Sequence, residues 1–496
     1  MKLEDGAHVH LVGICGTAMA GLAGLLRAKG FRVTGSDEGV YPPMSTWLES
    51  LGIRPDSGFD ESHLEPAPDL VVIGNAIRRG NPEAEATLDR RLPFTSLPVL
   101  VKELFLPGRQ VAVIAGTHGK TTTSAMLAHI LTATGENPSF LIGGIPFGAG
   151  APSRLGGGRA LVLEGDEYDT AFFDKGPKIM HYIPDVAVLN AVEMDHADIY
   201  RDFETVKLQF LRWVNIIPRR SLLLVNGDNE GAVEVVRKAL CRVERFGEAE
   251  GSDWRIVDLR DGPSGTTFDL ATPRGRVPEK RPVGGGAALR FDGAEAAGPR
   301  ESPSIRVVLP TAGAFNARNA VAAIASAVDL GVSLPRAVEA MASFPGVRRR
   351  LEVRGEAGGV IVVDDFAHHP TAIQETIRAA RSRWPGRRLV VILEPRSWSL
   401  RRRIFQNELP AALSGADMVV VASVYRGEEL PEPERLDVGR LVRDIAALGV
   451  EARQSENATT IASSLASDLR AGDVVLVMSN GGFGGLHDRL LAARAR

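Results

Sequence analysis

The chain has 496 residues, 44% hydrophobic and 24% charged, with a formal net charge of −3. That balance supplies apolar core for about three domains and argues against a general role on nucleic acid or at an anionic membrane surface. Two cysteines, Cys15 and Cys241, cannot build a disulfide framework and fit a reducing compartment. The opening MKLEDGAHVH lacks the basic and apolar regions of a signal peptide. No apolar run approaches the roughly 18 residues of a membrane span. The cytoplasm is therefore the expected location, with no membrane partner.

In chain order, VHLVGICG reads as a strand, TAMAGLAGLLRAKG as a helix and FRVTGSD as a second strand. This is the βαβ start of a parallel sheet. PDLVVIGNAI is a further strand, and LPGR at 106–109 is a plausible linker. Gly13 and Gly16 sit in the first turn, and Ser36 and Asp37 end the next strand. A Gly-rich turn followed about 20 residues later by an acid suits an anionic, nucleotide-like ligand. The spacing is not GxGxxG, so glycine for tight strand–helix packing is the competing reading. Cys15 in that turn reads as a small filler, because no base is evident beside it.

The strand VAVIAG then runs into AGTHGKTTT at 115–123. A strand, a Gly-rich turn and Lys-Thr opening a helix is how a chain cradles nucleotide phosphates. The turn's N–H groups and the positive end of the helix dipole face the anion. Gly116, Thr117, His118, Gly119, Lys120, Thr121 and Thr122 form the candidate loop. Lys120 is placed to reach the β/γ-phosphates and the Thr121 hydroxyl to sit on Mg²⁺. Only two residues separate Gly116 from Gly119, where the usual loop has four. ATP is the expected cofactor.

ALVLEGDE, VAVLNAV and SLLLVNGD follow as buried-strand candidates. Glu164 and Glu167, with Asp166 between, lie at the C-terminal end of the first, where ligands bind in open α/β sheets. Asp195, His196 and Asp198 follow the second. Carboxylate and imidazole beside the loop threonine can complete the coordination of Mg²⁺; the competing reading is that the acids cap the following helices. Residues 261–303, rich in Gly, Pro and charge, read as loops with short antiparallel strands. NARNAVAAIASAVDLG resumes as a helix.

GVIVVDDF, RLVVILEP, DMVVVAS and DVVLVMSN make a third set of strands, separated by helical patterns such as TAIQETIRAARSRW. The basic runs VRRR at 347–350 and RRR at 401–403 are the densest. The first falls at an inferred domain boundary, where an arginine can close over a γ-phosphate. The second reads as solvated surface. In DDFAHHPT, Asp364 and Asp365 end a strand and His368 and His369 precede Pro370. These suit ribose or substrate contacts; a zinc site is not expected, since adjacent histidines rarely aim at one metal. The fold class is α/β: three successive α/β domains, Rossmann-like over 1–107, a P-loop ATPase over 108–345 and Rossmann-like again over 346–496.

Taken in order, GTHGKTTT, EGDE, NAVEMDH, FNARN, GVRRRLE and DDFAHHPT resemble the Mur ligases, ATP-dependent amide-forming enzymes of peptidoglycan synthesis. The likeness covers essentially the whole chain, and the family's short phosphate loop accounts for the missing two residues. It implies ATP and Mg²⁺ as cofactors, with Lys120, His196 and Arg349 catalytic and Thr121, Glu164 and His196 on the metal. It implies nucleotide contacts from Asn316, Asn319, Arg349 and Asp365, with Phe315 standing where the family commonly has His. Gly13, Gly16, Ser36 and Asp37 are implied to line a UDP-sugar site.

Several relatives carry a carbamylated lysine. That position falls near Phe210 here, with Lys207 out of register, so none is expected. GICGTAMAGLA, GSDEGVYPPMST, EGDEYDTAFFDK, DDFAHHP and EPRS resemble the branch that joins UDP-N-acetylmuramate to the murein tripeptide L-alanyl-γ-D-glutamyl-meso-diaminopimelate. Arg396 and Ser397 are candidates for reading the peptide. The alternative within the family is addition of L-alanine. Outside it stand a nicotinamide-dependent oxidoreductase, suggested by the first turn, and a nucleotide-gated binding protein. No nucleic-acid partner is expected, and no feature fixes an oligomeric state.

Overall fold

The computed structural model describes residues 3–40, 43–197, 199–273 and 304–495. Asp198 and residues 274–303, the greater part of the Gly- and Pro-rich segment, lie outside them. The described strands gather into three main sheets taken in turn along the chain.

The first sheet orders its strands Asp56–Ser57, Arg32–Asp37, His8–Val12, Leu70–Ile73 and Phe94–Ser96, all parallel. His8–Val12 and Leu70–Ile73 are buried throughout, as a parallel sheet covered on both faces requires. The strand order reverses at His8–Val12, so the Gly13 turn opens at a topological switch point and leads into helix Thr17–Ala28.

The second sheet has ten strands. Gln110–Ala115 pairs in parallel with Val186–Leu189 on one side and Ala160–Gly165 on the other. Three apolar runs thus end at the same edge, and helix Lys120–Ala133 starts from it. Helix Ala314–Asp329 packs against that helix, its alanines buried where two backbones come close. Trp254–Gly262, Gly265–Ala271 and Ser304–Leu309 form antiparallel pairs at the far margin.

The third sheet runs Glu352–Ala357, Val360–Asp365, Val474–Met478, Leu389–Leu393, Met418–Ala422 and Glu451–Ser455, with only the first pair antiparallel. The edge strand Glu451–Ser455 reads EARQS and carries no buried residue, so apolar periodicity could not reveal it. Arg109, at the end of the LPGR stretch, is not loose: its guanidinium donates to Ser139 Oγ at 2.8 Å and the Gly158 carbonyl at 3.0 Å. Among the described residues, no helix is long and apolar enough to cross a membrane.

Candidate active site

One cavity of about 1090 Å³ lies where the three sheets converge; residues from Gly16 to Asn480 line it. At its floor the chain turns through Gly116 (φ +122°) and Gly119 (φ +79°) into helix Lys120–Ala133. Both positions need glycine on two counts. The backbone is left-handed, and a Cβ at Gly119 would stand 2.5 Å from Asn319 Oδ1, one at Gly116 2.7 Å from the Ala191 nitrogen. Glycine at both positions keeps the turn free of side chains where it enters the helix, the kind of turn that can bring backbone N–H groups close to an anion.

Lys120 Nζ folds back to donate to the Gly116 carbonyl at 2.7 Å and to Glu167 at 2.8 and 3.0 Å. Burial alone would lower its pKa, but Glu167, Asp166 and Glu164 outweigh that and hold it above the ordinary lysine range. Glu167 is 1% exposed, and its Oε1 also meets His196 Nε2 at 2.8 Å. Burial would depress His196, while Asp195 and Glu167 raise its pKa above the ordinary value. His196 has φ +54°, a left-handed turn closed by its amide donating to Asp195 Oδ1 at 2.7 Å.

Thr121 Oγ1 donates to Glu164 Oε2 at 3.3 Å, and the Gly143 amide donates to Glu164 Oε1 at 2.8 Å. Burial pushes the Glu164 carboxyl up, and its direct hydrogen-bond partners are neutral donors. A buried carboxylate beside a hydroxyl at a phosphate loop is a hard oxygen set that a divalent cation would neutralise, so these residues fit Mg²⁺. His196 pairs instead with Glu167, which also binds Lys120; among the described residues no hydrogen bond or ion pair joins His196 to Thr121 or Glu164.

Asn319 Oδ1 accepts from Thr123 Oγ1 at 3.1 Å and stands behind Gly119. Asn316 lines the cavity, and its side-chain amide donates to the Ala312 carbonyl at 2.8 Å. Phe315 lies on the same wall. Thr117, His118 and Thr122 line the floor. Asp365 is buried; its oxygens accept from the Leu351 and Ala367 amides, each at 2.8 Å. Burial raises its pKa, with Arg350 pulling the other way.

Three sequence expectations need correction. The arginine that lines the cavity is Arg350; Arg349 turns its guanidinium onto the Ser479 and Gly481 carbonyls and sits 3.4 Å from Asp364. Arg349 and Leu351 have left-handed backbone, and both guanidinium groups lie 5.2 Å from the Phe366 ring, but only Arg350 lines the cavity. Ser36 does not face the crevice: it is fully buried and donates to Glu83 Oε2 at 2.6 Å. The 401–403 run is not all solvated surface, because Arg401 is 3% exposed and donates to the Arg426 carbonyl and Glu429. Arg396 and Ser397 both line the cavity; Ser397 accepts the Leu400 amide at 3.1 Å, and Arg396 stacks on Tyr425 at 3.8 Å.

At the first turn, Gly16 lines the cavity, while Gly13 takes φ +86°. Asp37 staples the turn by accepting the Cys15 and Gly39 amides, each at 2.9 Å. Burial first, and Asp37 second, push the Cys15 thiol up to about 12, which disfavours the thiolate form. Lys207 lies on the surface side of its helix, paired with Glu204 and Glu234, and Phe210 is in the core.

From sequence, Asn190, Glu193 and Ser399 have no assigned role, while Glu167 reads only as one of a group of strand-end acids and Arg350 only as part of the basic run at the domain boundary. Glu167 carried a signal, an acid three residues beyond Glu164 at the same strand end. The others come into reach only when separate segments fold together.

Three family models match in sequence along the chain. A Mur ligase family catalytic domain matches residues 8–107, a Mur ligase middle domain 114–327, and a Mur ligase glutamate ligase domain 349–481. The UDP-N-acetylmuramate–L-alanyl-γ-D-glutamyl-meso-2,6-diaminoheptandioate ligase of Escherichia coli is 39% identical over 98% of both chains. The UDP-N-acetylmuramate–L-alanine ligase of Kineococcus radiotolerans is 37% identical over 95% of this chain and 93% of its own. The crystal structure of a murein peptide ligase from Psychrobacter arcticus superposes with a TM-score of 0.73, at 33% identity over 99% of each chain.

Proposed function

The chain belongs to the Mur ligase family, and we propose that it joins UDP-N-acetylmuramate to the tripeptide L-alanyl-γ-D-glutamyl-meso-diaminopimelate. It is an ATP-dependent ligase that forms a carbon–nitrogen bond. The observation that carries the substrate reading is the likeness to tripeptide ligases over almost the entire chain. A second observation agrees. Arg396, Arg401 and Arg426 line the cavity with Glu429, which pairs with the last two, and their net positive charge suits a peptide with several carboxylates.

A carboxylate forms no amide unaided, because its leaving group is poor. An oxygen of the lactyl carboxylate attacks the γ-phosphorus, the bridging bond to the β-phosphate breaks, and ADP departs. The peptide amine then adds to the acyl phosphate carbonyl, and inorganic phosphate leaves the tetrahedral intermediate. Gly116 to Thr122 bind the phosphates through backbone N–H groups, and Lys120 neutralises charge on the transferring group. Thr121 and Glu164 would hold Mg²⁺, with His196 beside them; the ion supplies charge neutralisation to the phosphates. Arg350 approaches from the C-terminal side, while Asn316, Asn319 and Asp365 hold the nucleotide. Gly13, Gly16 and the Asp37-stapled turn receive the UDP moiety. The reaction belongs in the cytoplasm, where nucleotide-activated sugar and ATP coexist.

Three segments, one each for UDP-sugar, ATP and peptide, are divided near residues 107 and 345. Their closure excludes water, which would otherwise hydrolyse the acyl phosphate. The test is product mass. The protein is incubated with ATP, Mg²⁺ and UDP-N-acetylmuramate plus either tripeptide or L-alanine. A tripeptide adduct with equal ADP is expected; an adduct with L-alanine alone would replace this reading with the amino-acid ligase.

A further inference from the structure

A second cluster of metal-ligating side chains lies at the edge of the cavity and draws on three distant segments. His118 comes from the phosphate loop, Glu193 from the loop after strand Val186–Leu189, and His369 from the N-cap of helix Pro370–Arg383. One ligand atom from each lies within 4.8 Å of the other two. His118 Nε2 is 3.3 Å from Glu193 Oε2, and His369 Nδ1 is 3.6 Å from the same oxygen. Donors bound to tetrahedral zinc at about 2.0–2.1 Å stand about 3.3 Å apart, so small adjustments close this set on one ion.

The His369 ring is held by its neighbours, and the His118 ring lies 4.4 Å from it, tilted by 46°. His369 Nε2 faces the Met194 carbonyl at 3.1 Å. A carbonyl only accepts, so Nε2 carries the proton and Nδ1 presents its lone pair. That is the outer-shell bond that fixes metal-ligating imidazoles. The Nδ1 lone pair accepts the Thr371 amide at 3.3 Å, a helix cap that a bound ion would displace. Glu193 Oε1 is held by Asn229 Nδ2 at 3.2 Å; Oε2 accepts from Thr371 Oγ1 at 2.7 Å and faces His118 Nε2 at 3.3 Å, where a cation would replace the imidazole proton. All three side chains line the cavity, so a fourth position opens to solvent.

Two imidazoles and one carboxylate select zinc-class ions over Mg²⁺, which prefers oxygen. We propose that His118, Glu193 and His369 form a transition-metal site of the zinc class, separate from the Thr121 and Glu164 oxygen set, whose occupant ties the phosphate loop to the C-terminal segment. Only one of the two adjacent histidines takes part; the partners come from elsewhere in the chain. The site does not depend on which amine the enzyme accepts.

The test is Co²⁺ titration of the full-length protein with Mg²⁺ in large excess to fill the oxygen sites. One equivalent of Co²⁺ is expected to give the intense visible d–d bands of a tetrahedral site, and Zn²⁺ to abolish them. His369→Asn keeps a capping acceptor for the Thr371 amide, and Glu193→Gln keeps the side-chain shape. Each is expected to weaken the metal at least about tenfold, with unchanged far-UV circular dichroism. If His369→Asn fails to fold, Glu193→Gln alone decides. No visible bands in the wild type, or bands of unchanged affinity in Glu193→Gln, would overturn the site; the latter result would put the cobalt elsewhere, such as at His196.

Discussion

Lys120 and His196 are joined through the two oxygens of one buried carboxylate. Glu167 Oε2 accepts from Lys120 Nζ at 2.8 Å while Oε1 meets His196 Nε2, also at 2.8 Å. The Tyr200 hydroxyl fixes the Glu167 carbonyl from behind. A cation that would otherwise swing freely over the loop is thereby aimed, and the imidazole is held at a set distance from it.

Replacing Glu167 with Gln removes the charge that orients both groups. Turnover is expected to fall about 10²–10³-fold, the scale of losing one preorganised stabilising contact. Lys120→Ala is expected to abolish amide formation. Steady-state ADP release and product mass measure both, with circular dichroism confirming the fold. Near-normal turnover in Lys120→Ala would sink the ATP-site assignment.

Arg350 and Arg349 are expected to separate cleanly. Arg350→Ala should lower kcat about 10²-fold with little change in melting temperature. Arg349→Ala should destabilise by about 1–3 kcal/mol, through the lost bonds to the Ser479 and Gly481 carbonyls, with a much smaller effect on kcat. Kinetics beside thermal melts check this. The reverse pattern would restore Arg349 as the phosphate-facing group.

Ser399 Oγ donates to Asp195 Oδ1 at 2.8 Å and accepts the Ala197 amide at 3.3 Å, a clasp between the C-terminal and central segments. Ser399→Ala should loosen closure and let water reach the acyl phosphate. The readout is coupling: ADP formed per amide formed should rise above one. A ratio that stays at one with unchanged kcat rules the clasp out.

Glu83 is fully buried and meets His10 at 3.1 Å, Ser36 at 2.6 Å and His63 at 2.7 Å. Burial raises its pKa, but the bonds from His10, Ser36 and His63 outweigh it and leave the carboxyl below its ordinary 4.5. A depressed folded pKa gives stability that is full above the unfolded value and is lost as pH falls through the folded one. Glu83→Gln should therefore cost about 1–3 kcal/mol at pH 7, and the gap from wild type should narrow below the unfolded pKa of about 4.5. Denaturant unfolding at several pH values tests this. A gap independent of pH would mean that packing, not charge, holds the network.

The same network shows where sequence reading stopped. Ser36 follows an apolar strand and precedes Asp37, so it reads as a strand-end ligand group; only the buried Glu83, arriving from helix Pro82–Asp89, shows that its hydroxyl faces inward. Arg401 sits in a basic run and reads as surface, yet Trp398, Arg426 and Glu429 enclose it. The short, polar edge strands went unseen because they bury too little for periodicity to register.

The sequence by itself determined the Gly-rich turn that leads into helix Lys120–Ala133 and the α/β order of the chain. Both are local: a strand, its turn and the next helix are contiguous, and glycine at 116 and 119 is demanded by backbone angles and close approach. The tertiary structure alone decided that Glu167 binds both Lys120 and His196, that Arg350 rather than Arg349 enters the cavity, and that His118, Glu193 and His369 meet. Those outcomes depend on how distant strand ends converge, which is not encoded in the spacing of a motif.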